Sequence, residues 1–171
     1  IYNSFNLDYI ISDCASCSSA LSAKHMEFLL GGLKIEDEAQ QFAGKVMDLT
    51  QFLVEVLDIK IPEKNIDELT RVTYHDPCHL ANAQGIKQAP RELLKRIPEV
   101  EFVEMPEANR CCGGSGTYSL THYDLSMKIL DRKMDNAMTT GAKKLATCCP
   151  SCSMQLKYGV ERCHWQCEVV H

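Results

Sequence analysis

The chain has 171 residues, 45% hydrophobic and 24% charged, the composition of an ordinary globular protein that buries a real core in one domain or little more. A net charge of -5 without a basic cluster argues against nucleic acid or an anionic membrane surface as partner. No apolar run reaches a membrane span, nothing at the start resembles a signal peptide, and the opening Ile1-Tyr2-Asn3 suggests a processed or excised chain. In chain order, 7–12 is a short apolar run that reads as a strand ending at Asp13-Cys14-Ala15-Ser16-Cys17. A helix is expected over 20–30, closed by Gly31-Gly32. Over 36–57 the residues Ala39, Phe42, Ala43, Val46, Met47, Leu49, Leu53, Val56 and Leu57 keep helical spacing. They predict one long amphipathic helix whose acidic start suits the helix dipole. A polar connector follows at 62–69.

The run 71–75 reads as a strand entering Asp76-Pro77-Cys78-His79. Pro90 suits the first turn of a short helix that reaches 96, Pro98 ends it, and 100–105 is a further strand. Leu120, Tyr123, Met127, Leu130, Met134 and Ala137 then trace one helical face, which assigns Met127 and Met134 to the core. Thr121 and Asp124 have the spacing of a capping box, and Gly141 is the expected stop. A strand at 144–147 leads into Cys148-Cys149-Pro150-Ser151-Cys152, a helix runs to about 162, and 168–170 is a last strand. This alternation predicts an α/β fold: a mainly parallel sheet with flanking helices in Rossmann-like layers, and cysteines at the carboxyl ends of strands. Strand ends at Cys14, Cys78 and Cys148-Cys149 would bring sequence-distant thiols to the sheet edge where ligands sit. Strand, Cys-x-x-Cys and helix recur at 7–30 and at 144–162.

Ten cysteines between core-forming segments, with no secretion signal, fit metal ligation in a reducing cytoplasm better than a disulfide framework. The focus is Arg110-Cys111-Cys112-Gly113-Gly114-Ser115-Gly116. Neighbouring cysteines bond each other only with strain, whereas the glycines let backbone N–H groups point at an anionic, sulfur-rich group. The wider pattern is Cys78, 32 residues, Cys111-Cys112, 36 residues, Cys149-x-x-Cys152. Thiolates select iron–sulfur clusters, zinc or Cu(I), and five are one more than a structural zinc takes. Other residues carry weaker signals. Cys148 could compete with Cys149 for its place in the pattern but reads rather as a core thiol, and Cys163 and Cys167 read as unrelated thiols rather than half a zinc site. His75 and His79 either donate a hydrogen bond to a bound sulfur or are ordinary structural histidines. Arg110 either offsets thiolate charge or is solvated. Gly113-Gly114-Ser115-Gly116 lacks the spacing of a dinucleotide fingerprint.

His75-Asp76-Pro77-Cys78-His79, the Cys-Cys-Gly-Gly at 111–114 and the Cys-Pro-Ser-Cys at 149–152 resemble the cysteine-rich CCG domain. That family includes the cysteine-rich subunit of heterodisulfide reductase and the iron–sulfur subunits of glycolate oxidase, glycerol-3-phosphate dehydrogenase and lactate-utilisation systems. Members usually carry two copies. The resemblance implies a complete CCG domain at 71–171, a helical connector at 36–70, and at 1–35 the tail of a first copy, in a carboxy-terminal portion of a longer protein. By the same resemblance Cys78, Cys111, Cys112, Cys149 and Cys152 hold a 4Fe–4S cluster of the noncubane type, while Cys14 and Cys17 close an incomplete first site. The implied function is an iron–sulfur redox component serving a hydroxyacid oxidase or dehydrogenase, or a heterodisulfide reductase-like complex. Turnover would need a flavoprotein dehydrogenase or other redox partner, in the cytoplasm or attached through that partner to the inner face of the membrane. The alternative is a structural or interaction domain in which the thiolates hold zinc, without redox activity.

Overall fold

The structure is a computed structural model that describes residues 5–62 and 68–171. Its main sheet has the order β4-β3-β5-β6, all parallel, built from β3 (Thr70–Tyr74), β4 (Val100–Phe102), β5 (Lys144–Ala146) and β6 (Glu168–Val170). Val72 pairs with Lys144 and Lys144 with Glu168, so the central strands β3 and β5 leave the sheet at the same edge. A second, two-stranded parallel sheet joins β1 (Ile10–Ser12) to β2 (Val46–Asp48). The helices that follow the strands in sequence are α5 (Cys78–Ala81), α6 (Gln88–Lys95), α7 (Tyr118–Thr121), α8 (Tyr123–Met138) and α9 (Pro150–Arg162). Leu130, Met134 and Ala137 of α8 and Leu156 of α9 are fully buried with Leu145 of β5. Met127 joins the same core, as its helical spacing predicts.

The expected helix over 36–57 is not one helix. It divides into α3 (Glu36–Ala43), the strand β2, and α4 (Leu49–Gln51), which continues as a π-helical turn over Phe52–Val56. Gly44 closes α3, and the Ile10 N–H then donates to the Lys45 carbonyl at 2.7 Å, drawing 46–48 into register with β1. Asp48 restarts the helix by accepting the Thr50 N–H at 2.9 Å, an N-cap in the middle of the apolar stripe. The first helix also departs from expectation. It starts at once after Cys14 as α1 (Ala15–Ala20) and resumes after Ser22 as α2 (Ala23–Leu30). The Thr121/Asp124 capping box does not form: Thr121 Oγ1 donates to the Thr117 carbonyl, and α8 begins after His122. The connector expected at 62–69 falls largely on 63–67, outside the described residues.

Lys133 lies on the buried face of α8 and is only 1% exposed. Its ammonium donates to the carbonyls of Glu107 (2.7 Å) and Ala108 (3.1 Å), fastening the segment that leads to Cys111 onto the helix. Burial pushes its pKa down from 10.5 to about 8, against the pull of neighbouring negative groups. Between those pH values the unfolded chain keeps a proton that the folded chain has released, so the native state gains stability as pH rises. Urea unfolding of the wild type and Lys133→Met, compared from pH 8 to 10.5, should show the wild type gaining on the variant across that window. A difference that stays flat with pH would overturn the reading of Lys133 as a buried ammonium.

Candidate metal centre

Three chain segments meet beyond the carboxyl edge of the main sheet. β3 continues through His75-Asp76-Pro77 to Cys78, the first residue of α5. That exit is clamped: both Asp76 oxygens accept from Arg91 of α6 at 2.8 Å, and Arg91 also holds Glu104 at 2.7 Å. The Asp76 N–H donates to the Ala108 carbonyl at 3.1 Å, which ties β3 to the segment carrying Cys111 and Cys112. β5 continues to Cys149, the N-cap of α9, with Pro150 and Cys152 in the first turn. The five cysteines singled out by spacing are brought together as a chain of interacting sulfurs: Cys78 with Cys111, Cys111 with Cys112, Cys112 with Cys152, and Cys152 with Cys149. Cys112, Cys149 and Cys152 are buried and Cys78 and Cys111 half-buried.

Backbone N–H groups feed this chain. The Gly113 N–H donates to Cys111 Sγ at 3.3 Å, and further main-chain donors reach Cys112 from Gly114 and Cys149 from Cys152 and Ser151. The thiols consequently titrate unequally, two lowered and three raised. Hydrogen bonds from Cys112 and then Cys78 hold the Cys111 thiol down at about 2, and one from Cys152 brings Cys149 to about 5. Donating those protons raises Cys112 to about 11 and pushes Cys78 and Cys152 well above the ordinary thiol range. Binding of a soft metal would release the remaining thiol protons, since its ligands are thiolates.

Gly113 adopts φ +87°, and a Cβ there would lie 2.6 Å from the Ser126 carbonyl oxygen of α8. Ser126 Oγ also donates to the Gly113 carbonyl at 2.8 Å, so the Cys-Cys-Gly-Gly turn is pressed onto α8. A Cβ at Gly114 would come within 2.9 Å of Gln155 on α9.

The remaining candidates sort cleanly. Cys148 faces away into the core, its sulfur 2.9 Å from the Tyr74 hydroxyl and burial pushing its pKa to about 12. Cys163 and Cys167 enter no cluster of metal-ligating groups among the described residues. His79 is exposed, and Arg110 is an exposed side chain 3.8 Å from Glu107, the solvated alternative. The buried cation near the thiols is Lys133, whose place in the apolar stripe with Leu130 and Ala137 was the unread signal. His75 is fully buried, neither ring nitrogen has a partner among the described residues, and burial followed by the Lys133 charge lowers its pKa to about 3. One ring nitrogen lies within 4.8 Å of both Cys112 Sγ and Cys152 Sγ, which themselves lie within that distance of each other. Cys14 and Cys17 sit beside the site: Ser16 Oγ is 3.3 Å from Cys14 Sγ and 3.8 Å from Cys149 Sγ, and the Ala15 N–H donates to the Cys148 carbonyl at 3.0 Å.

This donor set fits a polynuclear metal–sulfur group. Five thiols strung in a chain, backbone donors aimed at their sulfurs, and an orphaned buried imidazole supply soft ligands and hydrogen bonds for sulfur. A profile of the CCG cysteine-rich domain matches residues 72–157, which takes in all five. The "Probable glycolate oxidase iron-sulfur subunit" of Bacillus subtilis is 35% identical over 161 residues, 94% of this chain and 36% of that protein. A subunit of the fumarate reductase (CoM/CoB) of Methanothermobacter marburgensis is 32% identical over 91% of this chain and 29% of its own length. The "Lactate utilization protein A" of a Geobacillus strain is 31% identical over 96% of this chain and 68% of that one. The chain belongs to the CCG cysteine-rich domain family. It spans about a third of the first two relatives and about two thirds of the third.

The two positive-φ glycines of the loop give a paired test. Gly113→Ala should lower stability by about 1–3 kcal/mol from backbone strain, with more from the Ser126 contact. Gly116→Ala, at φ +52° with nothing within 4 Å of the added methyl, should cost only about 1–2 kcal/mol. Urea unfolding of the metal-free variants measures both; equal losses would contradict the packing of Gly113 on α8.

Proposed function

We propose that this chain is the cluster-bearing part of an iron–sulfur electron-transfer subunit. The observation that carries the reading is the convergence of Cys78, Cys111, Cys112, Cys149 and Cys152, from three separate segments, into one chain of thiols lined by backbone donors. These five cysteines would hold the cluster, of the noncubane 4Fe–4S type by family resemblance. When bound, such a cluster supplies one-electron transfer, which no side chain here provides. The chain's own contribution is to fix the five sulfurs, donate backbone hydrogen bonds to them and bury most of them from water. The names of the relatives, a glycolate oxidase iron-sulfur subunit, a fumarate reductase subunit and a lactate utilization protein, support a redox subunit. In this reading it serves hydroxyacid oxidation or a heterodisulfide reductase-like complex, with a flavoprotein or other redox partner, as the family resemblance implies. No helix among the described residues is long and apolar enough to cross a membrane. The proposed setting is the cytoplasm, with any attachment to the inner face of the membrane made through the partner. Residues 71–171 form the complete CCG domain in this reading, and the segment around Cys14 and Cys17 the tail of a first copy.

One observation favours a second reading, a zinc-binding domain without redox activity. Among the described residues His75, Cys112 and Cys152 alone have ligand atoms that all lie within 4.8 Å of one another, the compactness a single tetrahedral ion wants. Zinc needs a fourth donor, and no set of four among the described residues is equally compact. The five-sulfur chain therefore suits a larger group better.

Serine substitutions separate the two. After anaerobic reconstitution with iron and sulfide, Cys78→Ser, Cys111→Ser, Cys112→Ser, Cys149→Ser and Cys152→Ser should each retain less than about a tenth of wild-type iron and sulfide, because a hydroxyl is a poor soft-metal donor. Cys148→Ser, Cys163→Ser and Cys167→Ser should load normally, as should Cys14→Ser and Cys17→Ser. A colourless wild type that takes up only zinc, or full loading of both Cys111→Ser and Cys112→Ser, would end the cluster reading.

A further inference from the structure

We propose that His75 donates a ring N–H hydrogen bond to a sulfur of the group held by the five cysteines and thereby raises its reduction potential. This inference rests on the cluster reading above and assigns His75 a positioning role, outside the ligand set. Its basis is an unsatisfied side chain in a fixed place. His75 is 0% exposed, and both its ring nitrogens are buried without a partner among the described residues. Buried polar groups are almost always hydrogen-bonded, and an imidazole in either neutral tautomer carries one N–H that must go somewhere.

The surroundings narrow the choice. The residue is held at the exit of β3 by its own backbone N–H, which donates to the Ala146 carbonyl at 2.9 Å. The nearby buried cation, Lys133, has committed its ammonium to the carbonyls of Glu107 and Ala108. Asp76, the next residue, gives both carboxylate oxygens to Arg91. The backbone acceptor beside the ring, the Ala108 carbonyl, already accepts from Lys133 and from the Asp76 N–H and makes no well-formed bond to the imidazole, whereas one ring nitrogen shares a 4.8 Å cluster with Cys112 Sγ and Cys152 Sγ. Other buried polar atoms without partners, Thr73 Oγ1, Thr147 Oγ1 and Asp48 Oδ2, belong to no such donor cluster. A hydrogen bond to a cluster sulfur favours the more negative, reduced state and so moves the potential upward.

The full chain, reconstituted anaerobically with iron and sulfide, is compared as wild type, His75→Phe and His75→Gln. Iron and sulfide per chain, the potential from a mediated redox titration, and electron–nuclear coupling in the paramagnetic state of protein carrying nitrogen-15 histidine are measured. The expected result is near-normal loading in all three, a lower potential in His75→Phe, and recovery of most of the shift in His75→Gln, whose amide restores a donor. The labelled wild type should show weak coupling to one histidine nitrogen and to an exchangeable proton. An unchanged potential in a loaded His75→Phe overturns the proposal. So does the strong nitrogen coupling of a direct iron bond, or iron lost from a folded His75→Phe, since either makes His75 a ligand. If His75→Phe does not fold, the labelled wild type decides alone: weak coupling supports the proposal and its absence overturns it. A wild type that takes up no iron at all instead fails the cluster reading on which the proposal stands.

Discussion

Parallel pairing of β3 with β5 is the constraint from which the site follows. With Val72 opposite Lys144, the two central strands end together, and the first helical residues beyond them are Cys78 and, within one turn, Cys152. Val72, Thr73 and Tyr74 of β3 and Leu145 and Ala146 of β5 are all buried, as central parallel strands covered on both faces are, and their pairing fixes where the thiols stand. Cys111 and Cys112 arrive from the far side of β4, and their loop has no strand register to hold it. It is held instead by polar anchors: the Asp76 N–H on Ala108, the buried Lys133 ammonium on Glu107 and Ala108, and Ser126 on Gly113.

Those anchors explain why charged and polar groups are tolerated in so buried a place. Burying a lone ammonium or carboxylate is costly, and each is matched here: Lys133 by two carbonyls, Asp76 by a bidentate Arg91. The thiols follow the same logic by sharing hydrogen bonds, which lower Cys111 and Cys149 and raise their neighbours. His75 stands apart because neither ring nitrogen finds a hydrogen-bond partner among the described residues.

Much of this was legible in the sequence, for identifiable reasons. Strand ends were readable because apolar runs stop at Cys14, Cys78 and Cys148-Cys149, and all three mark the carboxyl ends of parallel strands. The turn at 111–114 was readable because only glycine fits a positive φ pressed against Ser126. The helix over 36–57 misled because Val46 and Met47 satisfy a helical period as well as a strand, and pairing with β1 decides between them. Gly44 and the Asp48–Thr50 pair carried that break locally, but their weight shows only once β1 is in place. Lys133 hid in plain sight, a cation at a core position of an otherwise apolar face. The isolation of His75 is a three-dimensional property, since it depends on which partners are absent.

The two-stranded sheet gives the internal echo a physical meaning. β1, Cys14-x-x-Cys17, α1 and, later, the parallel strand β2 repeat the connectivity of β5, Cys149-x-x-Cys152, α9 and β6. Cys14 and Cys149 each cap the helix that follows in an extended conformation, so the likeness extends to backbone geometry. The repeat reaches Asp48, well into the stretch that the sequence reads as a helical connector. Such a unit presents two thiols and no more; around Cys149 and Cys152 the other three come from β3's exit and the Cys-Cys-Gly-Gly loop. Near Cys14 and Cys17 the closest neighbouring group of thiols is the main site itself, reached through the Ser16 hydroxyl. This placement supports the proposal that the segment around Cys14 and Cys17 is the tail of a first, similar copy. The Ser16 hydroxyl and the Ala15–Cys148 hydrogen bond are the contacts that join this unit to the main site.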